Sequence, residues 1–271
     1  EEELHSRLII RTTKSIEITP RGWELYECAC HILSLRDNLL QRWAGESRKI
    51  IRLGASTIPS AYILPELLPA YGKAHPDTYF SIHQSDSQGI VDGLLQGNFD
   101  VGLVGMRCAD EALACIPFYQ DRMVLITPVN EHFLALKAQG AFPVEALLGE
   151  AMILRENGSG SKKSADRFLE SIGIRESELQ VIARINDQEA IKNLVAQGLG
   201  ISILSERAAR NFCEEKRLLG FELPESAARR SLYLIYQKNY ILKPYIQKFA
   251  EFVKRFYPSA EPEGAEPVKA R

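Results

Sequence analysis

The sequence predicts an α/β protein with two lobes, preceded by a small basic hairpin and one long helix. From Lys49 onward, short Val/Ile/Leu-rich runs alternate with helical patterns, and this alternation occurs in two similar sets. Such runs are typical of parallel strands, which are apolar along their length because helices cover both faces of the sheet. One strand and one helix remain near the end of the chain, and we expect both to return to the first lobe.

Composition and charge exclude several classes of protein. The 271 residues are 45% hydrophobic and 25% charged, as in an ordinary soluble globular protein. The formal net charge of −2 means that nucleic acid can be contacted only through a local basic patch. No apolar run approaches the ~18 residues of a membrane span, so no membrane partner is predicted. The five cysteines include no C-x-x-C pair, which favours reduced thiols in the cytoplasm.

The hairpin is predicted by residues 11–22, RTTKSIEITPRG, which read as two short strands joined at Lys14 and Ser15. A strand pair of this size is marginal by itself, so we expect it to belong to a larger unit. The chain begins without methionine, in the middle of a pattern and without a signal peptide. We therefore expect it to be a fragment of a longer protein, or to be numbered from its first ordered residue.

A long helix is predicted after the hairpin. Thr19 suits the cap position, Pro20 suits the first helical position, and Gly45 is a typical C-terminal stop. Apolar residues recur at a seven-residue spacing in two interleaved series, namely Leu25, Ile32 and Leu39, and Cys28 and Leu35. That spacing predicts a short coiled-coil seam covered by a partner helix. The alternative is an amphipathic helix that lies on its own domain.

The segments of the two α/β sets follow from hydrophobic pattern and length. The first set has strands at 49–56, 79–85 and 99–106 and helices at 59–74 and 87–97. The second set has strands at 123–129, 151–157, 180–187 and 200–206 and helices at 161–172 and 187–198. The late strand is expected at 231–239 and the last helix at 243–256. Residues 258–271, rich in Pro, Glu and Ala, are expected to be disordered.

Four strand-to-helix turns are rich in small hydroxyl and amide side chains: GASTIPS (54–60), HQSDSQG (83–89), RENGSGSKKS (155–164) and INDQEA (185–190). The N-terminus of a helix has unpaired N–H groups and a partial positive charge, so small anions bind there. The alternative is that these residues only cap their helices, and Asn186 with Glu189 has the spacing of a capping box. Because matching turns occur in both lobes, we predict a ligand in the cleft outside the carboxyl ends of the strands.

The sequence contains no recognised motif for catalysis, nucleotide binding or metal binding. GSGSKKS lacks the spacing of a phosphate-binding loop, and GASTI has Ile58 where a nucleophile elbow requires glycine. The histidines do not occur at metal-ligand spacing, and even for His83, near a ligand turn, a structural role is favoured. Asp86 or Asp187 is a candidate partner for an amine on a zwitterionic ligand, with surface capping as the alternative. We therefore predict a binding protein with no enzymatic activity, no cofactor and no metal.

Three segments carry a resemblance to a known family. They are RLIIRTTKSIEITPRG (7–22), GNFDVGLVG (97–105) and AIKNLVAQGLGISILSE (190–206). The first is similar to the wing motif of LysR-type transcriptional regulators, with Arg21 where alanine is usual, and the other two are close to signatures of that family. The similarity extends to about residue 256. It implies a periplasmic-binding-protein-like effector domain behind the end of a winged helix-turn-helix unit.

The resemblance also implies a division of the chain. The expected parts are a winged-helix remnant (1–19), a linker and dimerisation helix (20–47), a first effector lobe (50–121 and 228–257), a second lobe (122–227) and a tail (258–271). Arg11 and Lys14 would lie at the wing tip and pair with DNA phosphates, contacts that orient a protein without specifying sequence. The dimer seam would be lined by Leu25, Ile32, Leu35 and Leu39.

By the same resemblance, the opposed turns of the two lobes bind a small-molecule effector. The expected contact residues are Ser56, Thr57, Ser60, Ser85 and Ser87 on one side and Gly158, Ser159, Gly160, Ser161 and Asn186 on the other. A small anionic or zwitterionic metabolite would alter the geometry of a DNA-bound homodimer or homotetramer by its differential affinity for two arrangements. DNA binding is expected of the full-length protein and is expected to be weak or absent in this chain.

Two other classes of protein share the two-lobed fold. A stand-alone solute-binding protein should begin with an export signal and has no use for the helix at 20–47. A two-lobed enzyme requires an acid, a base or a cofactor placed in the cleft, and the sequence offers no such set. The regulator is therefore the preferred interpretation, with the solute-binding protein as the alternative.

Overall fold

The structure is a computed structural model that describes residues 1–11, 16–43, 49–140, 144–224 and 228–257. Its first elements are strands β1 (Ile9–Arg11) and β2 (Ile16–Ile18), which pair antiparallel, and helix α1 (Pro20–Trp43). The predicted hairpin tip at Lys14, the helix stop at Gly45 and the tail at 258–271 lie outside the described residues.

Thr19 joins the hairpin to α1. Its hydroxyl accepts the Gly22 N–H at 3.0 Å and donates to the Arg7 carbonyl at 2.8 Å. The helix therefore begins where the Thr-Pro pair predicts, because the threonine satisfies an N–H group that the first turn leaves unpaired. A side chain at Gly22 would lie 2.3 Å from the Leu8 carbonyl oxygen, so glycine allows the helix to approach the strand.

The apolar positions of the predicted seam are exposed where the structure describes them. Leu25 and Ile32 on α1 are 38% and 59% exposed, large values for residues of this type. The side chains of Leu35 and Leu39 lie outside the described part, as does that of Arg11. The chain itself thus does not cover Leu25 or Ile32, and the partner helix remains a prediction.

The first lobe contains a five-stranded sheet in the order β6-β11-β5-β3-β4. Strands β3 (Lys49–Ser56), β4 (Thr78–Ser85) and β5 (Val101–Val104) are parallel, whereas β11 (Arg229–Gln237) runs antiparallel to β5. A π-helical turn (Pro59–Ile63) continues into α2 (Leu64–Ala74), and α3 (Ser87–Leu95) and α8 (Pro244–Phe256) complete the lobe. The late strand and helix therefore return to this lobe, as the sequence predicts.

The second lobe contains strands β7 (Ala151–Arg155), β8 (Gln180–Ile185), β9 (Ser202–Ser205) and β10 (Leu219–Glu222). Its helices are α4 (Glu131–Ala138), α5 (Gly160–Ser171), α6 (Gln188–Ala196) and α7 (Glu206–Glu214), with 3-10 turns at Val144–Gly149 and Glu176–Glu178. Strand β7 pairs in parallel with β8 and meets the β9 side through a bridge from Met152 to Ile201.

Strand β6 (Leu113–Thr127) belongs to both lobes. Its first part pairs with β11 and its last part pairs with β9 and β10. The sequence analysis predicts a strand only at 123–129, whereas the observed strand also includes Pro117, which cannot donate a ladder hydrogen bond. Leu232 and Tyr233 of β11 pair with Tyr119 and Pro117, so the pairing shifts register and Phe118 is the extra residue of a bulge beside the proline. This 15-residue strand is a correction to the predicted elements.

Each lobe has its own apolar core. Leu53, Leu103 and Phe249 are fully buried in the first, and Met152 and Phe168 are buried in the second. No helix among the described residues combines the length and the apolar character that a bilayer crossing demands. The two cores pack against the sheets, and the carboxyl ends of β3 and β7 lie at the junction of the lobes.

Candidate effector site

The junction between the lobes is a narrow cleft lined by the predicted turns. Residues of the first lobe on its surface are Ser56, Thr57, Ile58, Asp86, Ser87 and Gly105. Across the cleft lie Arg155, Ser159, Gly160, Ser161 and Gln188, while Arg230 of β11 lines the cleft from the sheet of the first lobe. The structure thus brings together six residues predicted as effector contacts, which are Ser56, Thr57, Ser87, Ser159, Gly160 and Ser161.

Four other predicted residues lie outside this lining. Ser60 donates to Gln84 Oε1 at 3.0 Å, Ser85 lies against the first turn of α3, and Asn186 is exposed. Gly158, at φ +90°, lies on the rim, where a side chain would meet the Asp86 carboxylate at 2.5 Å. These residues surround the cleft but do not form its walls.

The capping box expected from Asn186 and Glu189 is wrong by one position. Asp187 is the cap of α6, and its carboxylate accepts the Glu189 N–H at 2.8 Å. Aspartate and asparagine are about equally good caps, so local preference does not choose between them. Asp86 likewise caps α3 by accepting the Gly89 N–H at 2.6 Å, so both aspartates have the capping role weighed as the alternative to ligand binding.

The N-terminus of α5 forms the wall of the second lobe. Ser159 is the cap residue of this helix, yet its side chain makes no capping hydrogen bond and is 97% buried. Its hydroxyl is therefore not used by the helix that it precedes. The first N–H groups of the helix, beginning at Gly160, lie at the same end, where the helix dipole adds a partial positive charge.

Arg155, the last residue of β7, is a site residue that the sequence analysis missed. Its side chain is 2% exposed and binds Glu156 through two hydrogen bonds of 2.8 Å, while Nη2 lies 3.5 Å from Thr57 Oγ1. Its Nη1 has no hydrogen-bond partner. The available signal was a charged residue ending an apolar strand, AMILR, every interior residue of which is buried.

Arg230 in β11 is a second buried arginine at the cleft, and it too was missed. Its Nε and Nη2 donate to Asp121 Oδ2 at 2.8 and 2.7 Å, and Nη1 donates to Ser161 Oγ at 3.0 Å. The Asp121 carboxylate also accepts the Ser205 hydroxyl at 2.8 Å. Both arginines are thus paired with a carboxylate, but each nitrogen of Arg230 has a protein partner whereas Arg155 Nη1 has none.

Gln188, the first residue of α6, completes the polar wall. It is 2% exposed, and neither its amide nitrogen nor its amide oxygen has a partner. With Arg155 Nη1, three of the four unpartnered buried side-chain polar atoms found among the described residues lie at this cleft. Such atoms are few in native proteins, and each costs about 1–3 kcal/mol when left unpaired. Their concentration indicates a place where a polar ligand fits.

The lobes are closed against one another. The cavity between them is about 10 Å³, roughly the least that holds one water molecule. At the side of the cleft, the Tyr62 hydroxyl donates to Glu189 at 2.7 Å and accepts from Lys192 at 3.2 Å. Burial and the hydrogen bond to Glu189 raise the pKa of Tyr62, so its hydroxyl stays protonated. A metabolite can enter only if the lobes or the wall side chains move.

Replacing Gly160 with alanine is expected to lower the free energy of unfolding by about 1–3 kcal/mol, because the chain would be overpacked. The added methyl group would lie 2.5 Å from the Gly105 carbonyl oxygen across the cleft, where only backbone can yield. Urea titration would measure the loss. Gly72→Ala in α2, where nothing lies within 4 Å, should instead stabilise by about 0.5–1 kcal/mol. An equal change in the free energy of unfolding of the two variants would contradict the close approach of the lobes at Gly160.

A larger groove of about 380 Å³ lies elsewhere on the second lobe, between α7 and β10. It contains no residue predicted to bind the effector. Its charged lining is balanced, with Arg122, Lys137 and Arg210 facing Glu206, Glu214 and Glu222. His83 also lies away from the cleft, with its ring stacked on Phe99 at 5.5 Å between centroids. The interlobe cleft therefore remains the candidate site.

Comparison with known proteins agrees with this architecture. Residues 44–258 match the family model described as the LysR substrate binding domain. The HTH-type transcriptional regulator MJ0300 of Methanocaldococcus jannaschii is 31% identical over 259 residues, which are 94% of this chain and 86% of that protein.

Two solved structures show the same fold. The effector binding domain of QuiR in complex with shikimate has a TM-score of 0.69 at 21% identity, over 78% of this chain and 97% of that one. The regulatory domain of CcmR from Synechocystis in complex with 2-PG has a TM-score of 0.67 at 23% identity, over 76% and 96%. They confirm the two-lobed periplasmic-binding-like α/β fold.

The relatives are transcriptional regulators, which favours the regulator over a solute-binding protein and over an enzyme. The motifs at 97–105 and 190–206 lie within the matched region, and the motif at 7–22 precedes it. LysR-family proteins bind small effectors and DNA and form oligomers. The family model and the relative together cover nearly all of the chain, and this chain belongs to the LysR family of transcriptional regulators.

Proposed function

We propose that the interlobe cleft binds a small anionic metabolite and that binding changes the arrangement of the lobes. The observation that carries this proposal is the set of unpartnered polar atoms, Arg155 Nη1 and the Gln188 amide, buried opposite the N-terminus of α5. The two structural relatives support it, because shikimate and 2-PG are small anions.

The wall groups match one carboxylate or a similar oxyanion. Arg155 Nη1 and the Gln188 amide nitrogen would donate to its oxygens, together with the Ser159 hydroxyl and the first N–H groups of α5. Ser56 and Thr57 on the opposite lobe would bind hydroxyl groups on the rest of the molecule. Asp86 and Glu156 hold negative charge beside the cleft, which disfavours a heavily charged polyanion and leaves room for an amine.

The ligand acts on an equilibrium between closed and open lobes. A ligand shifts such an equilibrium only by its differential affinity for the two states. In the closed state Arg207 also crosses the junction, with Nε donating to the Tyr62 carbonyl at 3.0 Å. Opening of the lobes would break the hydrogen bonds that Tyr62 and Arg207 make across the junction. The arrangement of the lobes would therefore differ between free and bound protein.

We further propose how the signal reaches DNA. The effector lobes would comprise residues 50–121 with 228–257, and 122–227, joined through the helix at 20–47 to the winged-helix remnant at 1–19. Helices of two chains would pair along a seam in a homodimer or homotetramer. Because the target is DNA, we assign the protein to the cytoplasm. The seam residues are Leu25, Ile32, Leu35 and Leu39, and the DNA phosphate contacts are Arg11 and Lys14.

A thermal-shift screen with small carboxylates, hydroxycarboxylates, phosphate esters and inorganic sulfate tests the site. A compound at 100 times its Kd stabilises the protein by about 2.7 kcal/mol, which raises Tm by about 5–10 °C. Ser56→Ala combined with Thr57→Ala is expected to abolish that rise, because both cleft hydroxyls are lost. The unliganded Tm should change little.

The matched control carries Ser81→Ala and Ser177→Ala, which remove two exposed hydroxyls away from the cleft. The same compound should raise the Tm of this control by as much as it raises the Tm of the unmodified chain. An undiminished shift in the Ser56 and Thr57 double variant would overturn the assignment of the cleft. A screen in which no anion raises Tm would overturn the proposed ligand class.

A further inference from the structure

Two cysteines of the first lobe lie in contact, away from the walls of the effector cleft. Cys108 is in the loop after β5 and Cys115 is in β6. The Cys108 N–H donates to Cys115 Sγ at 3.3 Å, and the two thiols are hydrogen-bonded to each other. Both are free and only half-buried, so a small reagent can reach them.

The contact makes the two thiols chemically different. The hydrogen bond from the Cys108 thiol is the main reason that the pKa of Cys115 is lowered to about 7. The Cys108 N–H and the Arg107 guanidinium also lower this pKa, whereas burial raises it. The same hydrogen bond, followed by burial, raises the pKa of Cys108. Near neutral pH a substantial fraction of Cys115 is therefore thiolate, while Cys108 remains a protonated thiol.

We propose that Cys108 and Cys115 form an oxidation site at which a peroxide produces an intramolecular disulfide. The Cys115 thiolate attacks a peroxide oxygen, the O–O bond breaks, and Cys115 becomes a sulfenic acid while the alcohol or water leaves. The Cys108 sulfur then attacks the Cys115 sulfur, and water leaves as the disulfide forms. The two thiols lose two electrons in total and the peroxide gains them.

Cys213 in α7 lacks these features and provides a comparison within the same chain. It is also half-buried, but burial is the largest influence on it and raises its pKa. Since the thiolate is the reactive form, Cys115 should react with peroxide at least about ten-fold faster than Cys213 at neutral pH. The difference should shrink as the pH falls below 7 and Cys115 becomes protonated.

Tryptic mapping after treatment with hydrogen peroxide and then N-ethylmaleimide tests the site in the full chain. Cleavage after Arg107 and Arg122 releases one peptide, 108–122, that contains both cysteines. We expect this peptide to lose two hydrogens and to escape alkylation, while Cys213 is still alkylated. In the Cys108→Ser variant, Cys115 should instead be trapped by dimedone as a sulfenic acid.

Two controls make the experiment decisive. Cys213→Ser should leave the disulfide in peptide 108–122 unchanged. In concentrated urea Cys115 should react with peroxide no faster than Cys213, because its lowered pKa depends on the contact with Cys108 in the folded protein. Full alkylation of peptide 108–122 at a peroxide dose that already oxidises Cys213 would overturn the proposal. The proposal would also be overturned if Cys115 reacted faster than Cys213 by the same factor in urea as in the folded protein.

Discussion

Replacing Arg230 with methionine is expected to lower the free energy of unfolding by about 3–5 kcal/mol, because it leaves a buried charge unpaired. The side chains of Arg230 and Asp121 are only 1% and 2% exposed. Asp121 would retain the Ser205 hydroxyl and the Arg122 N–H as donors, at 2.8 and 3.0 Å, but would lose both charged bonds. Equilibrium unfolding in urea would measure the loss.

A double-mutant cycle separates the ion pair from simple loss of packing. Arg230→Met with Asp121→Asn removes both charges, and we expect it to recover much of the stability that Arg230→Met alone loses. Lys254→Met removes the cation of an exposed pair with Glu251 and should cost far less, because water screens surface ion pairs. A loss in Arg230→Met no larger than in Lys254→Met would show that Asp121 does not depend on Arg230.

Replacing Arg155 with methionine is expected to weaken binding of the best anion from the screen at least about 30-fold, equivalent to about 2 kcal/mol. The reason is that Arg155 Nη1 has no protein partner, although Glu156 binds the other two nitrogens, whereas all three nitrogens of Arg230 have partners. Stability should fall less than in Arg230→Met, since Glu156 is 26% exposed and remains hydrated. Isothermal titration calorimetry would measure the affinity.

Two further variants sharpen this test. Arg155→Lys keeps the charge but loses the planar guanidinium group with its several N–H donors, so anion binding should be partly retained. Lys248→Met removes an exposed cation on α8 and should leave the affinity unchanged. Unchanged affinity in Arg155→Met would show that the anion binds elsewhere. An equal loss in Lys248→Met would indicate a general effect of charge rather than a contact.

Much of the fold could be predicted because its signals are local. The helix expected at 59–74 spans the π-helical turn and α2, and the helix expected at 243–256 is α8 with one residue fewer. Periodic apolar residues and cap residues lie within a few positions of the structure they determine. The first half of β6 was missed because Pro117 is tolerated only through a bulge that involves a distant strand.

The site was predictable only in part, for a related reason. Ser56, Thr57 and Ser159 could be found because hydroxyl residues cluster in turns that the strand pattern places at one edge. Gln188 and Arg230 could not, because each is an ordinary polar residue in sequence, and Arg155 was signalled only by its place at the end of an apolar strand. Their importance comes from being buried, and burial depends on the other lobe.

The sequence alone determined the order of the elements, the family motifs and several of the turns that line the interlobe cleft, because these depend on neighbours along the chain. Tertiary structure decided the charges that remain available in the cleft. Arg230 meets Asp121 across 109 residues, while Arg155 keeps Nη1 unpaired. Hydrogen bonds and ion pairs require atoms within about 3 Å, so only the folded chain establishes which polar groups satisfy one another and which are left for a ligand.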